Sequence, residues 1–521
     1  MSNLLEHRVS LVDELLKQQG SLGTAVMRFS DWHEEQAGVP SQERFYKKLM
    51  PMGKPGVGHQ FAFEVNLDQC TGCKACVVAC HSLNGLDEEE SWRDVGMLVG
   101  TRMQPYVQTV TTACHHCVDP ACANGCPVLA YEKDDVTGIV RHLDDQCIGC
   151  SYCVMKCPYD VPKWNSKKGI VRKCDMCSQR LAVGEAPACV QACPSEAIAI
   201  RIVDQGGMGK VRMLPTAFDS SYTQPTTSYV SDRVVPQGAR DFGDAKLRLE
   251  DAHWPLAWML VLTQMAMGLF GVGLLLPVAG GMEWGNRLAV GVLGIGIGLS
   301  VLHLGQPMRA WRCFLGLRKS WLSREIVVFG GFLMVGLLAA VFPGGWTTGA
   351  AALVGVVGVF CSVMVYADTR RVLWNLGSTA WSFFGTGLLL GCAGGAAVMG
   401  WMGPSLLAIH LGFAATVVRT GLFVRDRLRL RGALMDEGHE NHRSARKMVE
   451  LKGGVVRARA VLFGVSTLLG LMGMVNAGGL AAWWATGSVL STVMAQVLER
   501  HLFFVAVESP RMVSNSWREM H

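Results

Sequence analysis

The distribution of apolar residues divides the chain into a polar first half and an apolar second half. Apolar stretches fall near 254–277, 286–305, 325–343, 349–367, 377–402, 404–424, 458–480 and 487–507. Each has close to the ~20 residues that a helix needs to cross the hydrocarbon core of a bilayer. Because so few charges interrupt these runs, the pattern favours an all-α polytopic membrane bundle of about eight helices over a large soluble helical core.

Short β-prone segments alternate with cysteine runs in the polar half. The strand-like segment at 61–65 leads into one cysteine run, and a related strand-then-cysteine string recurs at 140–158. These observations predict five regions. They are a polar extension at 1–60 with an amphipathic helix in 4–16, a cysteine-rich domain at 61–203, a Gly/Ser/Pro-rich linker at 204–250, a membrane domain at 251–510 and a tail at 511–521.

Composition and charge narrow the function classes. Of the 521 residues, 50% are hydrophobic and 17% are charged, which excludes a disordered chain and disfavours a purely soluble enzyme. The net charge of +6 does not indicate nucleic-acid binding, because the basic residues late in the chain lie between apolar runs. The first twenty residues contain Glu6, Asp13 and Glu14 and no apolar core, so we expect no export signal.

Basic residues in the connecting loops predict the orientation in the membrane. The loops after spans two, four and six and the tail after span eight hold eighteen Lys and Arg residues, whereas the other loops hold only Arg287. The positive-inside rule then places both termini and the cysteine-rich domain in the cytoplasm. The expected location is the inner (cytoplasmic) membrane.

Sixteen of the nineteen cysteines lie between 70 and 193. They form four groups: Cys70, Cys73, Cys76 and Cys80; Cys114, Cys117, Cys122 and Cys126; Cys147, Cys150, Cys153 and Cys157; and Cys174, Cys177, Cys189 and Cys193. The first and third groups have the bacterial ferredoxin spacing, in which three cysteines bind one cubane and the fourth belongs to another. The spacing predicts an α+β ferredoxin-like domain with four [4Fe-4S] clusters, rather than zinc, which favours longer spacers between cysteine pairs.

Four clusters in one domain indicate electron transfer. The polar half has no recognisable nucleotide loop or catalytic triad, so substrate chemistry is expected on a partner chain and no catalytic residue is assigned. His115 and His116 are interpreted as loop residues beside a cluster, since the cysteines suffice as ligands. Lys74 and Lys156 are expected to interact electrostatically with their clusters.

At this point the sequence resembles a known family. Residues 61–203 resemble the four-cluster electron-transfer subunit of the dimethyl sulfoxide reductase family of complex iron–sulfur molybdoenzymes, and 252–510 resemble that family's membrane anchor. The string VLHLGQPMRAW at 301–311, followed by WLSREI at 321–326, carries the anchor resemblance. The resemblance implies a fusion of the two subunits, which links a membrane quinone pool in anaerobic respiration to a molybdopterin catalytic subunit.

The resemblance also implies how cysteines of different groups share clusters. One cluster would take three cysteines of the first group and the last cysteine of the fourth, and the reciprocal set would form another. The second and third groups would exchange their last cysteines in the same way. The four implied sets are Cys70, Cys73, Cys76 and Cys193; Cys174, Cys177, Cys189 and Cys80; Cys114, Cys117, Cys122 and Cys157; and Cys147, Cys150, Cys153 and Cys126.

Three residues near the ends of spans two and three form a candidate site for menaquinone or ubiquinone. His303 ends the second span and Glu325 opens the third, and both match the quinol-site motif of the anchor family. Ionisable residues at membrane depth are usually functional. Taken alone, His303 could cap helix carbonyls and Glu325 could interact with the helix dipole. Arg309 would hold the quinone headgroup or dock the cysteine-rich domain.

Other polar candidates and functions stay open. His410, Arg419 and His501 lie in the apolar half, and Glu499 and Arg500 are interpreted as a structural ion pair. The alternative function is an iron–sulfur and anchor subunit of a hydrogenase or another quinone-linked oxidoreductase without molybdenum. A zinc-bound membrane scaffold is the non-redox alternative.

Overall fold

The structure is a computed structural model that describes residues 46, 48–51, 53–210, 212–403, 405–476 and 480–513. The expected amphipathic helix at 4–16 lies outside the described residues, as do most of the extension 1–60 and most of the tail 511–521. We call residues 53–250 the cysteine part and residues 254–505 the helical bundle.

Short strands and helices build the cysteine part. Strand β1 is central in one sheet, where it pairs antiparallel with β8 and parallel with β9, and β2 lies between β3 and β10 in a second sheet. The strands are β1 His59–Asn66, β2 Asp94–Val99, β3 Val107–Thr112, β4 Tyr131–Lys133, β5 Val140–His142, β6 Lys163–Asn165, β7 Ile170–Arg172, β8 Ile198–Asp204, β9 Ser228–Val230 and β10 Arg240–Asp241. The helices are α1 Ala75–Asn84, α2 Ala121–Gly125, α3 Tyr152–Lys156, α4 Ser178–Ala182 and α5 Ala188–Gln191.

Glycine allows the tight turns between the first two cysteines of each repeat. Gly72 and Gly149 occupy the same place in the two repeats, with φ of +73° and +67°. Side chains disfavour this region of φ, whereas glycine enters it freely. Each turn joins the first two cysteines of its group, and the third cysteine lies in the first turn of the helix that follows, Cys76 in α1 and Cys153 in α3.

Residues 204–250 are part of the cysteine part rather than the surface linker that the sequence suggested. Strand β9 pairs with β1, and β10 pairs with β2. Thr223 and Thr226 are buried against the cysteine loops. Composition alone missed this because isolated short strands carry little hydrophobic signal and gain their stability from pairing with longer ones.

The helical bundle follows from residue 254. Its long helices are α6 Trp254–Gly273, α7 Glu283–Val301, α8 Trp321–Val341, α9 Gly345–Ala367, α10 Leu376–Met402, α11 Leu406–Met435, α13 Gly453–Val475 and α14 Leu480–Val505, with the short helix α12 His442–Arg446 between α11 and α13. Among the described residues, seven helices are long and apolar enough to cross a membrane. Helix α14 is less apolar because it carries Gln496, Glu499 and Arg500. The prediction of a bundle of about eight helices is confirmed.

Helices α6 and α10 lie at the centre of the bundle, and small residues let them approach closely. A Cβ atom at Gly391 would lie 2.7 Å from the Cα of Gly268. Close backbone approach of this kind is a common source of helix association in membranes, where dispersion replaces the hydrophobic effect. Helix α11 extends beyond the predicted span at 404–424, because its arginine-rich end continues as helix to Met435.

The cysteine part packs on the end of the bundle where α7 and α9 finish. The loop 302–320 between α7 and α8 contacts it through hydrogen bonds from Gly316 N to the carbonyl of Pro127 (2.8 Å) and from Ser320 Oγ to the carbonyl of Gly125 (2.7 Å). After α9, Asp368 pairs with the buried Lys156 at 2.7 Å. The basic loops and the cysteine part therefore share one face of the bundle.

Candidate redox sites

The structure brings together the implied set that combines three cysteines of the second group with Cys157 of the third group. Cys114, Cys117, Cys122 and Cys157 line one small cavity. Burial, followed by the charges of Cys114, Cys122 and Cys157, raises the pKa of Cys117 well above its usual value. Four thiols that share one cavity form a donor set of the kind that holds a cubane cluster.

The implied set that combines three cysteines of the third group with Cys126 of the second group is also brought together. Burial and then the charges of Cys126 and Cys147 raise the pKa of Cys150. Cys153 has the same neighbours. The backbone amides of Ala130 and Gly149 point at the sulfurs of Cys126 (3.2 Å) and Cys147 (3.4 Å). Such amides stabilise thiolate charge and tune the potential of a bound cluster.

The first and fourth groups lie side by side. Burial and the charges of Cys189 and Cys177 raise the pKa of Cys80 to about 12, so Cys80 lies with the fourth group, as the resemblance implies. Burial raises the pKa of Cys76, Arg93 and Thr111 counteract this, and the charges of Cys189 of the fourth group and Cys70 of its own group add to it. The sulfur of Cys193 accepts a hydrogen bond from the amide of Ala197 at 3.3 Å.

Two buried cations lie among these sulfurs. Lys173 is within 3.6 Å of the sulfur of Cys114 and donates to the carbonyls of Val140 and Cys174. Arg93 donates to Thr111 Oγ1 at 3.2 Å, whereas its Nη2 has no hydrogen-bond partner among the described residues. Burial alone would lower the pKa of Arg93, but the charges of nearby cysteines, Cys189 first, raise it. Buried cations require a compensating anion, and clusters held by four thiolates are anionic, so this donor set fits iron–sulfur clusters.

His115 and His116 are buried between the cysteine loops and are held by groups other than a cluster. His115 Nδ1 lies 2.8 Å from Thr227 Oγ1, and His116 Nδ1 accepts a hydrogen bond from the amide of Val140 at 3.1 Å. Both contacts suit loop residues that pack beside a cluster.

The third cysteine group meets the helical bundle through backbone contacts. Gly305 N and Gln306 N donate to the carbonyls of Gly149 (3.3 Å) and Ile148 (3.0 Å). A Cβ atom at Gly305 would overlap the carbonyl oxygen of Gly169, so only glycine permits this approach. Arg309 donates to the carbonyls of Asp144 and Cys147, at 3.0 and 3.2 Å, and these contacts correspond to docking of the cysteine part.

A cavity of about 320 Å³ lies between the third cysteine group and the bundle, and His303 lines it. We call it the junction cavity. Its walls include Ser151 and Met155 of the third cysteine loop, as well as Trp374 and Phe504 of the bundle. The ring of His303 lies beside the backbone of Cys150, and its Nε2 has no hydrogen-bond partner among the described residues. Burial lowers the pKa of His303 to about 4, so the ring is neutral near pH 7.

Several acidic and basic groups share this cavity with His303. The ring of His253 packs edge-on to His303, with 5.1 Å between centroids. Arg371 donates to the carbonyl of Met155 at 3.3 Å, and the carboxylates of Asp160 and Asp251 also border the space. The junction thus offers proton-exchanging groups beside the loop that carries Cys150 and Cys153.

Glu325 is placed differently from His303. It is buried in α8, where its carboxylate accepts a hydrogen bond from Ser362 of α9, and it is not among the residues that line the junction cavity. Burial, followed by the charges of Asp368, Tyr222 and Glu325, raises the pKa of Tyr152. Tyr152 lies between Cys150 and Cys153, so Glu325 approaches the same cysteine loop from α8 rather than through the junction cavity.

The remaining polar candidates are dispersed over the bundle. Glu499 and Arg500 form an ion pair, which confirms the structural interpretation, and Arg500 also donates to Gln264 at 2.9 Å. His410 is exposed. His501 stacks on Trp254 with 4.3 Å between ring centroids.

Sequence reasoning missed Arg93, Lys173 and Asp368. Lys173 precedes Cys174, so its position beside a ligand was a usable signal. No sequence signal identified Arg93 or Asp368, because their partners are far away in the sequence. Lys156 was assigned to a cluster, whereas its ammonium group pairs with Asp368 of the bundle.

Comparison with known proteins gives two family matches and several relatives. The model for a 4Fe-4S dicluster domain matches residues 106–202, and the model for the DMSO reductase anchor subunit matches residues 251–505. The B subunit of the anaerobic dimethyl sulfoxide reductase of Escherichia coli strain K12 is 36% identical over 180 residues, which cover 32% of this chain and 86% of that protein.

Two further relatives match a smaller share of their own length. Hydrogenase-2 operon protein HybA of Escherichia coli O157:H7 is 35% identical over 161 residues, which cover 25% of this chain and 48% of that protein. The iron-sulfur subunit of the nitrate-inducible formate dehydrogenase of Escherichia coli strain K12 is 33% identical over 181 residues, which cover 30% of this chain and 56% of that protein.

Proposed function

This chain is a member of the dimethyl sulfoxide reductase family of iron–sulfur and membrane-anchor subunits, and from that premise we propose that it transfers electrons between a membrane quinone and a molybdopterin catalytic partner. Four [4Fe-4S] clusters would be held by the four cysteine sets that cross between groups. Bound clusters would supply one-electron transfer along the cysteine part. The protein holds the clusters in order, and substrate chemistry takes place on the partner chain.

The junction cavity is the observation that carries this proposal. It places neutral His303 beside Cys150 and opens between the third cysteine loop and the bundle. Because Nε2 of His303 has no hydrogen-bond partner among the described residues, it is left to accept a proton from a quinol hydroxyl. Electrons released there would be next to the cluster held by Cys147, Cys150, Cys153 and Cys126. A pocket of this size suits the headgroup of menaquinone or ubiquinone.

Glu325 and Arg309 take supporting roles in this proposal. Glu325 would act electrostatically on the segment around Tyr152 in the third cysteine group rather than touch the quinone in the junction cavity. Arg309 would fix the cysteine part to the bundle through two backbone carbonyls, which keeps the cavity and the cluster at a constant separation.

We also propose that the cysteine part lies on the cytoplasmic side of the inner membrane. Support comes from the basic loops, because the loop 302–320 and the segment 442–457 lie on the face that carries the cysteine part, and such loops stay in the cytoplasm. For the domain division we propose an iron–sulfur part that extends from 61 through 250 and an anchor over 251–510.

The test separates quinone chemistry from the rest of the electron path. His303→Asn in the complex with its catalytic partner should slow quinol-linked turnover by at least about tenfold, since proton transfer by a positioned residue contributes ~10² to 10⁴-fold. Dye-linked turnover of the partner should be unchanged. His410→Asn is the matched control, because His410 is exposed and lies outside the cavity. Equal losses in both assays would contradict the quinone role.

The second candidate function is a subunit of a hydrogenase or another quinone-linked oxidoreductase without molybdenum. The relationship to HybA supports this candidate for the cysteine part. The anchor match to the DMSO reductase family favours a molybdenum partner. Co-purification and mass spectrometry would distinguish them: a molybdopterin protein supports the first function, and a nickel–iron subunit supports the second.

A further inference from the structure

We propose that a second cavity, at the end of the bundle nearest the cysteine part, binds the headgroup of an anionic phospholipid. This cavity of about 490 Å³ lies among α10, α11, α13 and α14, and we call it the arginine cavity. Arg425, Arg427, Arg429 and Arg459 border it. It is separate from the junction cavity and has no part in the proposed electron path.

The carboxylates in the wall neutralise only some of these arginines. Asp426 accepts hydrogen bonds from both Arg425 and Arg459, at 2.6 Å each. Glu499 is paired with Arg500. The exposed Glu440 also borders the space, but it is not within ion-pair distance of an arginine among the described residues.

Arg427 and Arg429 are the cations that remain. Arg427 lies over the ring of Phe423, 5.1 Å from the ring centroid, and Arg429 donates to Ser378 Oγ. In the described structure, neither guanidinium has a carboxylate within 4.0 Å. Both belong to the part of α11 that follows its apolar span, where lipid headgroups would meet the helix. Arginine forms paired hydrogen bonds to phosphate, so these two side chains suit a phosphate ligand.

The apolar residues that line the arginine cavity favour a phospholipid over a free anion as its ligand. Leu373, Leu430, Leu502 and Phe503 face the same space as the arginines. Inorganic phosphate would leave these surfaces in contact with water, whereas the glycerol and the first acyl carbons of a phospholipid would cover them. Basic pockets between transmembrane helices at the headgroup level are known to bind such lipids.

The experiment compares retained lipid among matched variants of the full chain, purified with its clusters in mild detergent. Phosphatidylglycerol and cardiolipin would be extracted and counted per chain. The double variant Arg427→Gln with Arg429→Gln should retain on the order of tenfold less of these lipids than the wild type. The control, Arg318→Gln with Lys319→Gln, removes the same charge from an exposed loop on the same face and should match the wild type.

Further arms identify the source of the phosphate and guard against misfolding. Arg427→Lys with Arg429→Lys keeps the charge and should retain most of the lipid, which would exclude general damage. Reconstitution with phosphatidylglycerol should raise the unfolding temperature of the wild type, and phosphatidylcholine alone should not. Equal retention by the Gln double variant and its control would overturn the proposal. So would stabilisation by inorganic phosphate alone, which would indicate a free-anion site.

Discussion

Two sets of buried cations, Lys173 with Arg93 in the cysteine part and Arg500 in the bundle, are neutralised differently. In the cysteine part, Lys173 and Arg93 lie among cysteine sulfurs, and Arg93 keeps one nitrogen without a hydrogen-bond partner among the described residues. In the bundle, Arg500 pairs with Glu499 and also donates to Gln264, Ser382 and Thr386. The cations of the cysteine part need a bound anionic group as their counter-charge, whereas the chain itself supplies the Glu499 carboxylate as counter-charge for Arg500, although Nε of Arg500 has no hydrogen-bond partner among the described residues. We therefore expect the cysteine part to depend on its clusters and the bundle to fold without them.

The largest expected effect is that of iron removal. Chelation under mild denaturing conditions should abolish the visible absorption and make residues 53–250 sensitive to protease, because four thiolate sets and two cations lose their compensation. The helical circular dichroism of the bundle should persist. The control is denaturant without chelator. If the cysteine part stayed protease-resistant after losing its iron, its fold would not depend on the clusters, and the contrast with the bundle would be wrong.

The next effect is the loss of one partner of the bundle's ion pair. Arg500→Met should lower the free energy of unfolding by about 3–5 kcal/mol, since it leaves the Glu499 carboxylate without its cation. Adding Glu499→Gln should restore much of the lost free energy of unfolding, because the unpaired charge is removed. Unfolding in detergent micelles, followed by circular dichroism, measures both.

The exposed pair Arg287 and Glu283 provides the matched control for this prediction. These residues are 2.6 Å apart on α7, and Arg287→Met should cost under about 1 kcal/mol. Equal losses at the two sites would mean that burial does not determine what the bundle's charges contribute.

The smallest of the expected effects on stability is that of a substitution at the contact between the cysteine part and the bundle. Gly305→Ala places a methyl group against the carbonyl of Gly169, and such overpacking costs about 1–3 kcal/mol. Quinol-linked turnover should fall more than dye-linked turnover, because the junction would open. Gly294→Ala on α7 is the control, since a Cβ there meets no neighbouring atom within 4 Å. Equal rates for the two variants would contradict the tight junction.

The sequence predicted features whose physical cause is local. Cysteine spacing indicated the ferredoxin-like domain because the ligands of one cluster come mostly from one loop. Apolar length indicated the spanning helices, since the hydrocarbon thickness fixes the number of residues. The Glu499–Arg500 pair was also local, because the two residues are adjacent.

Features that depend on distant partners could not be predicted. Strand β9 is recognisable only once β1 is beside it. Lys156 gave no sign that it would pair with Asp368, more than two hundred residues away. The positions of His303 and Glu325 relative to the third cysteine group depend on how α7 and α8 pack, which no single-chain pattern specifies.

The backbone contact between Gly149 and Gly305 has a further consequence for a protein in which both halves are one polypeptide. A covalent tether turns their association into an intramolecular event with a high effective concentration, so even a modest docking surface stays closed. The tether also fixes equal amounts of the two modules in every molecule. An interface formed by main-chain atoms tolerates substitutions of the neighbouring residues, provided that the two glycines are kept.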